Sequence, residues 1–186
     1  MQKRTLTDNE IQAARSIFKD SIDYSKVRIH NRGFFRLFGL DLQTRRTAVT
    51  PNGSLYFRKE DYRADFALGY PDGDFDVSSL LWFMHEMVHV WQYQLGYPVM
   101  LRGAVRIGLD YAYTLREDAS LASYNMEAQG NILSDYFYFK ILGGLQIPRR
   151  DKNYVASDLP LYEKVLRSFL DNPSDKANLP SDAAGR

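Results

Sequence analysis

The chain has no cysteine among its 186 residues. Disulfides, thiolate metal sites and cysteine nucleophiles are therefore excluded. Histidine is scarce: His30, His85 and His89 are the only three. Any metal centre must be built from these and from carboxylates. A charge excess of one sign is also missing. Lys and Arg total 24 against 23 for Asp and Glu, a formal net charge of +1. That gives no electrostatic case for nucleic acid or an anionic membrane as partner. No apolar run reaches bilayer length, and no apolar h-region follows the charged residues Lys3 and Arg4. Neither membrane insertion nor a signal peptide is expected, and the chain reads as cytoplasmic in its producer.

What is present is enough for a core. Hydrophobic residues make up 45% and aromatics 14% of the chain, and the length suits one domain. Residues 1–170 read as that domain. Residues 171–186 are rich in Pro, Asp, Ser and Ala and read as a disordered tail.

The order of elements reads as α+β. Thr7 with Glu10 forms a capping-box signature for a helix over about 8–20. Residues 25–30 alternate polar and apolar, as a half-buried strand does, and His30 ends the run. Residues 47–50 form a possible short strand. Asn52-Gly53 marks a hairpin turn, and 54–58 reads as the returning strand. Asp76 or Ser78 caps a helix that runs to about Leu95. Residues 99–116 are ambiguous. Glu117 and Asp118 look like first-turn acids of a helix running to Leu142 and ending at Gly143-Gly144. A last amphipathic helix covers about 158–170.

One stretch carries chemistry. Residues 80–92 contain His85-Glu86-Met87-Val88-His89, an HExxH pattern on a helix that is apolar all round and hence buried. His85 and His89 lie one turn apart on one face, so both imidazoles can reach one metal ion. Glu86 lies about 100° round the helix from His85 and about 60° from His89. It flanks the metal and suits a base acting on water. Two histidines and a glutamate inside a buried helix also need partners.

A catalytic zinc site takes three protein ligands and one open position. The absence of cysteine and of any histidine after His89 points to a carboxylate as the third ligand. Glu127 is the first choice, on a polar stripe with Ser123, Tyr124, Asn131 and Asp135. Asp118, Glu117, Asp110 and Asp135 are the alternatives. Asn131, one turn beyond Glu127, or Asp135 can accept a hydrogen bond from the far ring nitrogen of a ligating histidine. Gly130 lets two helices approach closely. The chemistry that follows is amide hydrolysis. Glu86 takes a proton from the attacking water and gives it to the leaving amine. Tyr124 is the first choice for stabilising the oxyanion, with Tyr111, Tyr113 and, more weakly, His30 as alternatives. Strand 54–58 offers an edge to which an extended substrate can add.

His85-Glu86-Met87-Val88-His89 followed by Glu127-Ala128-Gln129 resembles the zincin metallopeptidases of the Glu-zincin type. The phrase running from His85 to Gln94, with Tyr124-Asn125-Met126-Glu127-Ala128-Gln129 downstream, is similar to small metallopeptidase-like proteins linked to bacterial Rhs and Vgr proteins of type VI secretion. The resemblance spans about residues 7–142. It implies a mixed sheet packed on the HExxH helix, a third ligand on a following helix, and one catalytic zinc ion. It also implies an antibacterial effector with a Vgr- or Rhs-type carrier and a cognate immunity protein. Such an effector acts in a target cell's periplasm on a protein or a peptidoglycan peptide. Many Glu-zincins carry Asp one turn after the ligand Glu, where this chain has the uncharged Asn131. A non-catalytic zinc-binding adaptor of a secretion system is the alternative from a different class.

Overall fold

The computed structural model describes residues 3–34, 36–37, 40–41, 48–100, 111–144 and 158–181. Strand β1 (Lys3–Arg4) leads into helix α1 (Asp8–Phe18). The capping box is formed: Glu10 N–H donates to the Thr7 hydroxyl, and the Thr7 N–H donates to the Glu10 carboxylate. Glu10 does more than cap. It is fully buried, takes both guanidinium nitrogens of Arg4 at 2.7 Å and accepts the Phe66 N–H at 2.9 Å. One carboxylate thus ties β1, α1 and the 60s loop together, with its charge compensated by the bidentate arginine.

Strand β2 (Ile29–Asn31) pairs antiparallel with β1. Strands β3 (Arg36–Leu37) and β4 (Leu40–Asp41) form a separate two-stranded ribbon. Strand β5 (Leu55–Phe57) pairs parallel with β2, so the three-stranded sheet has the order β1-β2-β5 and is mixed. The expected hairpin is reduced to one antiparallel bridge, in which Val49 and Tyr56 exchange both backbone hydrogen bonds. The outer edge of β5 is therefore covered at Tyr56 by the 48–50 segment. The strand-addition edge expected at 54–58 is taken there. Gly53 turns this corner at φ +73°, and a Cβ on it would lie 2.7 Å from the Tyr93 ring.

Helix α2 (Val77–Gln94) is capped by Asp76, whose side chain accepts from Ser79 N–H. Its apolar residues reach the sheet, α1 with Phe169 beside it, and a third neighbouring layer. Trp82 meets Phe57 of the sheet, with ring centroids 5.1 Å apart. Trp91 packs against Phe18 of α1 and edge-on against Phe169. Its third neighbour is helix α3 (Met126–Tyr136), which continues through a π-helical turn (Phe137–Ile141) and ends at Gly143 and Gly144, both with positive φ. The Ser134 hydroxyl joins the two helices by donating to the Leu81 carbonyl at 3.0 Å.

The start of α3 differs from the sequence expectation. It is Met126, not Glu117, because the Asn125 side chain accepts from Glu127 N–H and Ala128 N–H and caps the helix there. Glu117 and Asp118 lie outside it in surface ion pairs, with Lys164 and Arg116 respectively. The last helix is two pieces, α4 (Leu159–Val165) and α5 (Arg167–Asp171), broken at Leu166.

The expected disordered tail also needs correction over residues 172–181. The Trp91 ring N–H donates to the Pro173 carbonyl at 2.7 Å, and Ser181 N–H donates to the Ala122 carbonyl at 3.0 Å. Asn178 is buried. The composition is polar, but the contacts are made largely by main-chain groups. Among the described residues, no helix is long and apolar enough to cross a membrane.

Candidate metal centre

Helix α2 places His85 and His89 on the face that meets α3. The His85 Nε2 and His89 Nε2 atoms each lie 3.3 Å from the same Glu127 carboxylate oxygen. Donor atoms of the three residues all lie within 4.8 Å of one another, and no other such group occurs among the described residues. Metal–ligand bonds of about 2.0–2.1 Å in a tetrahedral shell put ligand atoms about 3.3 Å apart. The observed histidine-to-carboxylate spacings match that edge length.

The α2–α3 contact is set by Gly130. A Cβ at this position would lie 2.5 Å from His85 Cε1 and 2.8 Å from Nδ1. Only a residue without a side chain lets the imidazole lie against the α3 backbone. Glu127 falls in the first turn of α3 rather than mid-helix. The helix N-terminus supports its negative charge there.

The hydrogen bonds behind the rings determine which nitrogen carries the proton. Asn131 Nδ2 donates to the Tyr111 carbonyl at 2.7 Å, so its Oδ1 is the atom facing His85 Nδ1 at 3.1 Å. His85 Nδ1 must then be the donor, which leaves Nε2 with a lone pair. His89 Nδ1 lies 2.9 Å from Gln92 Oε1, while Gln92 Nε2 donates to the Met126 carbonyl and to Gln129 Oε1. His89 Nδ1 is again the donor and Nε2 the lone pair. Two imidazole lone pairs and a carboxylate oxygen thus converge in a nearly dry site. Such a group requires a positive charge at its centre.

In the metal-free protein a proton takes that role. Burial opposes charging His89, yet the nearby Glu127, and more weakly Glu86 and Gln92, outweigh it and push the imidazole up to about 9. Burial alone would raise the Glu127 carboxyl. The two histidines outweigh it and hold Glu127 well below the usual carboxylate range. A divalent cation bound by these three atoms would replace the proton.

Glu86 is buried beside the candidate ligands, and its Oε2 accepts from the Thr50 hydroxyl at 2.7 Å. Thr50 follows directly on Val49, the residue bridged to β5. The sheet edge therefore aims the hydroxyl that holds the glutamate. Thr50 carries no motif, and only its place at the end of the expected short strand 47–50 points to it.

Tyr124 is not placed as expected. Its hydroxyl donates to the Thr114 carbonyl at 3.1 Å and accepts from Arg116 N–H at 3.2 Å. It anchors the 111–116 segment because α3 starts after it, not before it. The same segment is held by the Tyr113 hydroxyl, which donates to Asp135 Oδ2 and accepts from the Tyr162 hydroxyl, both at 2.5 Å. Asp135 thus serves this segment, and Asn131 serves His85. Tyr111 is the tyrosine brought to the ligands: its ring stacks near His85 at 6.3 Å and is 47% exposed. His30 stacks flat on Tyr56 at 4.2 Å, and burial with nearby Arg32 and Lys3 lowers its pKa. Asp110 lies outside the described residues.

No protein-family profile matches the chain. Over 146 residues it is 38% identical to the type VI secretion system spike protein VgrG2b of Pseudomonas aeruginosa strain PAO1. That match takes in 74% of this chain and 13% of the spike protein, so the chain corresponds to a small part of its length. The solved effector domain of Pseudomonas aeruginosa VgrG2b superposes with a TM-score of 0.67 at 32% identity. The superposition covers 88% of this chain and 82% of that domain.

The chain belongs to the family of the VgrG2b effector domain.

For this family member, the mixed sheet, the buried α2 and the Glu127-bearing α3 are one continuous scaffold. The expected link to type VI secretion agrees with its relatives.

Proposed function

We propose that this protein is a zinc-dependent peptidase acting as a type VI secretion effector. The observation that carries the reading is the convergence of His85 Nε2 and His89 Nε2 on one Glu127 oxygen, with Glu86 held beside them. Zinc in this site would supply a Lewis acid that acidifies water and polarises an amide carbonyl. His85, His89 and Glu127 would hold it. Glu86 has one carboxylate oxygen engaged by Thr50, and the other is available to take a proton from water and return it to the leaving amine. Tyr111, rather than Tyr124, is the tyrosine positioned to face a substrate at His85. The burial of His89 and Glu127 excludes bulk water on their side of the site, which strengthens the charge interactions there.

The relatives support the cellular setting. A VgrG spike protein carrying such a domain suits a Vgr-type carrier, delivery to the target-cell periplasm, and a cognate immunity protein in the producer. The substrate in that setting is a protein or a peptidoglycan peptide.

The test pairs metal analysis with hydrolysis of a mixed peptide library and purified peptidoglycan. Wild-type protein is expected to hold one zinc per chain and to cleave at least one of these substrates. Glu86→Ala is expected to keep its zinc and lose activity by about 10²–10⁴-fold. No stoichiometric zinc in the wild type overturns the metal reading. Wild-type target-cell killing by Glu86→Ala overturns catalysis in favour of a zinc-binding adaptor.

A further inference from the structure

The segment 172–181 is not explained by the metal ligands or by Glu86, yet it reaches the site through an unbroken line of buried amides. Gln129 Nε2 donates to two main-chain carbonyls, Leu121 at 2.9 Å and Asn178 at 3.1 Å. Carbonyls only accept, so the Gln129 amide has one permitted orientation, with Oε1 toward Gln92. Gln92 Nε2 then donates to Gln129 Oε1 at 3.0 Å as well as to the Met126 carbonyl at 3.2 Å, and Gln92 Oε1 accepts from His89 Nδ1 at 2.9 Å. Gln92 and Gln129 are both fully buried. Flipping either amide would set oxygen against oxygen with no water to relieve it.

Both carbonyls at the head of this line depend on the C-terminal segment. The Asn178 carbonyl belongs to it. Leu121 lies in the 3₁₀ turn Leu121–Ser123, to which the segment is tied by Ser181 N–H donating to the Ala122 carbonyl. The segment is held in turn at two points. Trp91, next to Gln92 on α2, donates to the Pro173 carbonyl, and the Asn178 side chain closes the loop by donating to the Asn172 carbonyl at 3.0 Å.

We propose that residues 172–181 form a positioning strap for the metal centre, which sets the tautomer and tilt of His89 through Gln129 and Gln92. The strap touches neither metal nor substrate; Gln129 and Asn178 are positioning residues. The proposal rests on His89 being a metal ligand. It adds that the zinc affinity of this site is set in part by the last described residues of the chain. Among the described residues the His85 side is built differently: its amide partner, Asn131, donates to the Tyr111 carbonyl rather than to a second buried amide.

The test uses the full chain with Gln129→Met, which keeps the length but removes the amide, and Asn178→Ala, which opens the strap loop. Zinc affinity is measured by chelator competition. The ring nitrogens of both histidines are followed by ¹⁵N NMR in the zinc-free protein, with circular dichroism to confirm folding. Gln129→Met is expected to weaken zinc binding by about 10- to 100-fold, with Asn178→Ala at the lower end of that range. The His89 ring signals should lose the signature of a hydrogen-bonded Nδ1–H while those of His85 stay in place. Unchanged zinc affinity and unchanged His89 signals in the folded variants overturn the strap. Equal disturbance of both histidines also overturns it, since that is general loosening. Where Gln129→Met does not fold, Asn178→Ala decides by the same criteria. A wild type that binds no zinc overturns the metal reading itself, and is distinguishable because it needs no variant.

Discussion

The two histidines of the candidate centre are held in the same way but by different regions of the molecule. Behind His85 stands one amide, Asn131, whose far end meets the Tyr111 carbonyl on an exposed segment. Behind His89 stand two amides in series, fully buried, ending at carbonyls of Leu121 and Asn178. Neither line contains a carboxylate. Each ends on main-chain oxygens, and these determine which way every amide points. The lesson is that a neutral second layer can orient a ligand as firmly as a charged one, provided its last member has no freedom to flip. The difference lies in solvent. Water can replace a lost partner on the His85 side, but not on the His89 side.

The largest expected effect comes from the helix contact that both sides share. Gly130→Ala would place a methyl group 2.5 Å from the His85 ring. Moving the ring or parting α2 from α3 is expected to cost about 1–3 kcal/mol of stability and to abolish tight zinc binding. Thermal melting with and without zinc checks this. A Gly130→Ala variant that melts at the wild-type temperature and is still stabilised by zinc would show that the helices tolerate a wider gap.

The comparison itself is tested by truncating the two amides. Gln92→Leu and Asn131→Leu are each expected to weaken zinc binding by about 10- to 100-fold. Only Gln92→Leu should also lose about 1–3 kcal/mol of folding stability, because it strands buried polar partners. Urea unfolding of the two zinc-free variants separates them. Equal stability loss would mean that the His85 side is no wetter than the His89 side.

A smaller effect is expected in the metal-free protein. His89 is raised from its ordinary 6.5 to about 9, so its contribution is fully present below about pH 6.5 and is lost as pH rises through 9. Glu127 is lowered, so its contribution is present above about pH 4.5 and is lost as pH falls further. The two belong to one pair and count once. Melting temperature in a chelator should therefore be highest, for this pair, between about pH 4.5 and 6.5. Zinc should raise stability most at alkaline pH, where the replacing proton is gone.

Much of the site was legible because it is local or follows by elimination. His85 and His89 are one helical turn apart. Glu127 is favoured because no cysteine and no later histidine exists, and Asn131 sits one turn beyond it. The capping box at Thr7 and Glu10 and the end of α3 at Gly143-Gly144 were equally local. What was not legible depends on long-range contacts. Glu117 and Asp118 look like helix-start acids, but Asn125 caps the helix eight residues later than Glu117. Tyr124 looked like an oxyanion donor because it was counted on a helix that had not yet begun. Thr50 has no motif, and it meets Glu86 only because the Val49–Tyr56 bridge turns it inward.

By itself the sequence determined the chemistry: which donor atoms are available, and that two of them share one face of a buried helix. The tertiary structure decided which way those donors point. His89 is oriented by Gln92, which Gln129 and the carbonyl of residue 126 hold, and Gln129 by the carbonyl oxygens of residues 121 and 178. Every residue has a carbonyl, so no letter of the sequence marks the ones that matter. Only the folded chain brings those two oxygens to one amide.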